Sequence, residues 1–352
     1  MNTLARSALT LAFVTCACAA HAGSASIVCV DNIQALPLIA NALGQNGVDD
    51  DLRLVAGTYK PDGVVSITVQ ESHQLLISGG WNEDCSEQNG GATVFDGQGT
   101  SLLLHILSSQ AAPIGVTDIT FINAASATSH GLAGALGIYT SGLALAERNL
   151  FIANRYAFGA PALGMSGRQA TVARNNLFVA NTSSDDHAVV DLGCSAFATS
   201  TLNVAGNTMV GNQVVGTSAF GGLRTTCVGG TAYVANNLLW NNDGGDLRIV
   251  GADHTILYDN DIGVLSGDAP GSASEGNFSA APVFRPGILN FAQASSSPAI
   301  NRGRNCFVDT MGCKLGLGET DLSGMPRIQG ARVDIGAYES DVLLYSGYEV
   351  TP

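Results

Sequence analysis

Two acids, a histidine, a third acid and two arginines are the residues of this chain best placed to do chemistry. Asp185, Asp186 and His187 are consecutive, Asp191 follows, and Arg224 and Arg248 lie in the segments after it. Carboxylates beside an imidazole can pass protons, and an arginine near them can hold an anion or serve as a base. Acids on successive segments can also hold Ca²⁺. Tyr139 and Trp240 offer flat faces that stack on sugar rings. The plainer reading is an ion pair between Asp191 and Arg224 beside a solvated Asp185-Asp186 loop, and exposed pairs of that kind contribute little. No Gly-rich phosphate loop, no G-x-S-x-G elbow and no H-E-x-x-H motif occurs. His73, His105, His130, His187 and His254 are scattered singly.

Whether those groups share a surface depends on a repeat. The run Asn176-Leu177-Phe178-Val179-Ala180-Asn181 has counterparts at Asn149 to Asn154, Asn207 to Asn212 and Asn237 to Asn242, with a weaker first copy at Asp118 to Asn123. The copies begin at 118, 149, 176, 207 and 237. That irregular but bounded spacing is the signature of a solenoid with one coil per repeat. The asparagines Asn149, Asn154, Asn176, Asn181, Asn207, Asn212, Asn237 and Asn242 are read as a structural ladder rather than as sugar ligands. Asn tolerates the positive φ that a sharp corner demands, and stacked amides satisfy one another where burial alone would be costly.

Each coil from about 101 to 265 divides into three strands. The strand ahead of the Asn motif contains in turn Ile138-Tyr139-Thr140, Leu163-Gly164-Met165, Val190-Asp191-Leu192, Leu223-Arg224-Thr225 and Leu247-Arg248-Ile249. Alternation places the first residue of each trio inward, and Tyr139, Gly164, Asp191, Arg224 and Arg248 in one outward column. Cys194 and Cys227 stand four residues past Val190 and Leu223, so both point inward from adjacent coils. Strands about 4.8 Å apart put them within disulfide reach. Cys306 and Cys313 would close a short local loop, which leaves Cys29 for Cys85.

Composition fits short strands and tight turns: of 352 residues 43 are Gly and 12% are charged. The best short helix candidate is Asn32 to Leu43. Formal net charge is -14, a balance that repels nucleic acid, and also polyanionic sugars and anionic membranes unless divalent cations or a local basic patch intervene. Arg6, the apolar run Ala8 to Val14 and Ala20-His21-Ala22 have the three regions of a signal peptide cleaved after Ala22. The apolar run is too short to span a bilayer, and no second long apolar segment follows. Six cysteines remain after cleavage, and an even count in an exported chain reads as three disulfides.

Strands are expected at Ile27 to Val30, Leu52 to Val55, Val64 to Val69 and Leu75 to Gly79. The segment Gly79-Gly80-Trp81, then Cys85, then Val94-Phe95-Asp96-Gly97, resembles the opening coils of bacterial right-handed β-helix proteins. Ser297-Pro298-Ala299-Ile300-Asn301-Arg302-Gly303, Thr320 to Arg327 and Val333-Asp334-Ile335-Gly336-Ala337-Tyr338-Glu339 resemble the end of the choice-of-anchor Q family. The resemblance implies an all-β chain, a right-handed parallel β-helix of the pectate-lyase-like superfamily with an N-terminal cap, exported or held at a surface. In that superfamily, pectate lyases use acids for Ca²⁺ and a basic residue as base, and polygalacturonases use clustered Asp with His. This chain lacks the ordered polygalacturonase motif series. Asp321, Asp334 and Glu339 match the family pattern and are read as holding turns. The end Leu343-Leu344-Tyr345-Ser346-Gly347-Tyr348-Glu349 resembles short tails of exported bacterial proteins.

The organisation read from the sequence is therefore a signal peptide over 1–22, a cap and first coils over 23–100 and β-helix repeats over 101–280. A closing region covers 281–340 and a tail 341–352. The expected function is a surface-associated, non-catalytic glycan-binding or adhesion protein, with Tyr139, Asp191, Arg224 and Arg248 as ligand contacts. A polysaccharide lyase or glycoside hydrolase built on Asp185, Asp186, His187, Asp191, Arg224 and Arg248 is the alternative. No cofactor or metal is expected, with Ca²⁺ left open. A polysaccharide or cell-surface glycan is the expected partner.

Overall fold

The computed structural model describes residues 25–129, 133–195, 199–251, 254–287, 290–305 and 316–340. The expected signal segment, His130, Cys306, Cys313 and the tail lie outside the described residues. Within them the chain winds as a right-handed parallel β-helix. Each coil passes through three faces, as in Leu136–Thr140, then Leu143–Glu147, then Leu150–Ile152. Stacking these produces sheet one with nine strands, from Ser26–Val30 to Thr255–Tyr258. Sheet two has eight strands, from Val65–Val69 to Leu265–Gly267, and sheet three has eight, from Gly57–Tyr59 to Asp261–Ile262. Every ladder between these strands is parallel. A fourth, three-stranded sheet of Arg155–Tyr156, Thr182–Ser184 and Gln213–Val215 fills the corner between sheets three and two.

Alternating side chains make the interior. On sheet three Tyr59, Phe95, Phe121, Phe151 and Phe178 stack at centroid separations of 5.4, 5.6, 5.2 and 4.8 Å, and Met209 continues the column. Offset stacking of that kind adds to the burial of the rings themselves. The helix Leu36–Leu43 begins with Pro37 in its first turn and buries Leu36, Ala40 and Leu43 over the open end of the first coil. The disulfide Cys194–Cys227 ties neighbouring coils, and Cys29–Cys85 ties Ser26–Val30 to the loop after Leu75–Trp81, two strands away in sheet one; their Cα separations are 5.0 and 5.7 Å.

The ladder asparagines are buried and bonded as a chain. Asn149, Asn176, Asn207, Asn237 and Asn260 each pass an Nδ2–H to the Oδ1 of the next, at 2.8 to 3.2 Å, and the chain ends on Asn277. A second ladder runs Asn154, Asn181, Asn212, Asn242, and ends on Asp246. Each Oδ1 also accepts the backbone N–H of the preceding ladder residue, as Asn181 Oδ1 does from Asn154 N at 3.0 Å. Two expectations need correction. Positive φ belongs to the residue before each ladder position, namely Arg148, Ala153, Asn175, Ala180, Gly206, Gly211, Asn236, Asn241, Asp259 and Gly276. The corner bends there, and the amide that follows is thereby aimed inward. Asp118 and Asn123 are likewise positive-φ residues, so the weak first copy is one position out of register. In that coil Ile119 N and Ala124 N cap the ladders by bonding to Asn149 and Asn154 Oδ1.

Beyond residue 281 the described residues add no further coil. The chain runs back along the outside of the corner between sheets one and three. Arg332 and Arg304 bond Asp259, Arg304 O accepts from Asn236, Ala337 N donates to Thr208 Oγ1, and Leu317 O accepts from Asn175. Leu177, Thr208 and Leu238, outward residues of sheet three, are buried; Ala299 and Ile335 of the strap cluster with Leu238. At the centre of this strap Arg327 is fully buried and faces Glu339 at 3.3 Å. Asp321 and Asp334 hold the surrounding turns through Ser323, Met325, Asn301 and Ser340. Burial pushes the Glu339 carboxyl up to about 8 and pulls the Arg327 guanidinium down.

Candidate functional site

Sheet two keeps an exterior on which small and polar residues form two outward columns. One reads Ser66, His105, Gly137, Gly164, Asp191, Arg224, Arg248, Ser266. The other reads Thr68, Leu107, Tyr139, Ser166, Gly193, Thr226, Val250. Tyr139 is therefore not in the column with Asp191, as alternation had placed it; Gly137 is. A slip of two residues preserves which face a side chain occupies, so an in-out pattern cannot detect it.

The slip makes the site. With glycine at 137, 164 and 193 the floor is low. A Cβ at Gly137 would sit 3.2 Å from His105 Cδ2 and 3.4 Å from Tyr139 Cε2, so both rings lean over it. Burial lowers the His105 pKa against the opposing effect of the Ala133 carbonyl, which lies 2.6 Å from Nε2 and fixes the orientation of the ring. Tyr139, Phe158, His187, Asp191 and Arg224 then line a groove of about 410 Å³ over Ser166 and Gly193. Phe158 is 42% exposed, a large ring presented to solvent at the rim. Burial, with the Asp191 carboxylate nearby, pushes the Tyr139 phenol up, so it remains protonated and can donate.

Arg224 reaches one rung back to Asp191 in a two-pronged pair, with Nε–Oδ1 at 3.0 Å and Nη2 on Oδ2. Its Nη1 donates to the Asp186 carbonyl at 2.9 Å. These contacts raise the Arg224 pKa, the Asp191 hydrogen bond most of all, against the opposing effect of burial. Of the residues singled out from sequence, Tyr139, His187, Asp191 and Arg224 converge. Asp185, Asp186 and Arg248 are exposed and do not line the groove. Asp185 has φ 54°, a corner conformation that Asp tolerates. Trp240 lies on sheet three, packed against the strap. Phe158 and Ser166 are lining residues that repeat reading missed, since Phe158 sits in a loop outside the strand trios and Ser166 two residues beyond the column used. Among the described residues no three His, Cys, Asp or Glu side chains gather as a metal site.

The groove can stack a ring on Tyr139 or Phe158 and hydrogen-bond hydroxyls through Asp191, Arg224 and Ser166, a wall-and-rim arrangement suited to a sugar. No protein-family model matches the chain, and no curated protein matches it. Among solved structures, a crystal structure of pectate lyase Pel9A is similar at 14% identity, covering 85% of this chain and 90% of that one, with a TM-score of 0.33. That score is too low to carry an argument about activity.

Proposed function

We propose that this chain is an exported, surface-associated protein whose sheet-two groove binds a glycan without cleaving it. The observation that carries the reading is the groove itself: an aromatic wall and rim, a floor of glycine and serine, and one carboxylate already neutralised by a guanidinium. Hydrolysis needs two carboxyl groups flanking the bond, roughly 5 to 9.5 Å apart. Among the described lining residues Asp191 is the sole acid. A lyase needs a base, and Arg224 is held protonated by the acid beside it. A signal segment at 1–22, two disulfides and the resemblance of 281–340 to the choice-of-anchor Q type support export and retention at a surface.

The test is titration of the mature chain by calorimetry against a polysaccharide panel, with reducing ends and unsaturated products followed in parallel. Binding with no product, weakened about tenfold by Tyr139→Ala and by Arg224→Ala, is the expected result. Product formation abolished by Asp191→Ala would establish the lyase or hydrolase alternative instead.

A further inference from the structure

A second, separate hollow crosses the corner between sheets three and two. One part, about 540 Å³, includes Lys60, Asp96, Asn123 and Arg155. Another, about 510 Å³, includes Ser126, Tyr156 and Val215. Gly99, Arg155 and Thr182 line both, so the two form one trough. It crosses the rungs of Tyr59, Phe95, Phe121, Phe151, Phe178 and Met209, a run of about 24 Å at the strand spacing. Its floor is alanine, glycine, serine and threonine, which leaves room for a flat extended chain.

Charge distinguishes this trough from its surroundings. The whole chain carries a formal charge of -14 and has two lysines, Lys60 and Lys314. One of them stands here beside Arg155. Both side chains are exposed, and among the described residues neither makes an ion pair. The one carboxylate lining the trough, Asp96, accepts from Asn123 Nδ2 and Gln98 N, both at 2.9 Å. Lys60 and Arg155 are rooted three rungs apart, about 14 Å. Nucleic acid presents a charge every 3.4 Å or so along a strand, far denser than these two cations can meet.

We propose that this corner trough binds an acidic polysaccharide whose carboxylate or sulfate groups are spaced along the chain, with Lys60 and Arg155 as its anion contacts. The site is independent of the sheet-two groove and takes a different ligand class. Calorimetric titrations use three oligomers of equal length: an alginate, a dextran sulfate and a neutral dextran. One or both acidic oligomers should bind more tightly than the neutral one, and which of them does so identifies the anion. Lys60→Ala and Arg155→Ala should each weaken that binding about twofold to fivefold. Each should also make log Kd less dependent on log salt, since one screened charge contact is removed. Thr182→Glu, which adds a like charge to the floor while leaving both cations, should weaken it as well. A saturating neutral sugar bound in the sheet-two groove should not displace the acidic oligomer. Equal affinity for all three oligomers, or acidic binding unchanged in the Lys60→Ala/Arg155→Ala double variant, would overturn the proposal.

Discussion

Replacing Asn181 by alanine isolates what one rung of the buried ladder contributes. Its side chain makes four bonds: Oδ1 accepts from Asn154 N and Asn154 Nδ2, both at 3.0 Å, and Nδ2 donates to Phe151 O and Asn212 Oδ1, both at 2.9 Å. Asn212 Oδ1 keeps the Asn181 backbone donor, at 3.0 Å, so that acceptor is not orphaned. Asn154 loses both partners named, and it has no exposure through which water can replace them. A buried donor left without an acceptor costs about 1 to 3 kcal/mol. Two of them, less whatever local relaxation recovers, give a loss of about 4 kcal/mol. Solenoid coils couple to their neighbours, so the loss falls on one rung and is not shared across the body. The comparison is Asn277→Ala at the exposed end of the other ladder: its Oδ1 also accepts two donors of a buried neighbour, Asn260 N at 3.0 Å and Asn260 Nδ2 at 2.8 Å, but Asn277 is itself exposed, so water can enter the space its side chain vacates and rebond them. There the cost should be about 1 kcal/mol. Urea unfolding followed by circular dichroism, with disulfides intact, reads both differences from the midpoint shift at constant slope. Equal costs for the two variants, or an Asn181→Ala loss below about 1 kcal/mol, would refute the account of the ladder as a satisfied buried network.

Other expectations can be checked on the same preparation. Cys194→Ser with Cys227→Ser, opening a bridge between residues 33 apart in sequence, should lower stability by about 3 to 4 kcal/mol by denaturant titration. Burial raises the carboxyls of Asp261, to about 6, and Glu339, to about 8. Folded pKa values above the unfolded ones mean that the folded chain binds more protons, so stability should fall as pH rises from about 4 to 8. Asp261→Asn should flatten the lower part of that decline in thermal melts across pH, and an unchanged slope would count against the shift. Arg327→Met would leave three acids around an uncharged side chain and should cost about 3 to 5 kcal/mol, seen as early release of the strap to limited proteolysis.

The coil period was legible because the ladder needs the same residue at the same place on every turn, and buried amides tolerate little substitution. Asn260 and Asn277 escaped notice: Asn260 has its companion acid Asp246 instead of a fifth Asn, and the coil at Asn277 is truncated. Cys194 and Cys227 could be paired because both offsets were counted within strands whose inward residues, Val190 and Leu223, are true neighbours. Tyr139 was misplaced by the same method, since the true neighbour of Leu163 is Leu136 and not Ile138. The strap was legible as motifs but not as a path. Arg327 reads as a surface residue until Asp321, Asp334 and Glu339 surround it.

Where binding can sit on this molecule follows from where the ladders are. Both Asn ladders flank sheet three, and each fixes a corner in which one positive-φ residue precedes one amide. A corner so constrained has no room for a loop. The strap covers the outer face of sheet three over the coils containing Leu177, Thr208 and Leu238. Length variation is left to the two edges of sheet two: the passage to sheet one is short at Thr140 to Leu143 and longer at Cys194 to Thr201, and on the other side Asn154 to Leu163, Asn181 to Ala188, Asn212 to Phe220 and Asn242 to Leu247 all differ in length. Phe158 and His187 come from two of these stretches, and Arg155 and Thr182 lie at their beginnings. Side chains that vary in reach are available there, directly beside sheet-two strands whose register is pinned on either side. The rigid corners therefore leave ligand contacts to the edges of sheet two, and the residues that line the groove and the trough come from the edge that follows the second ladder.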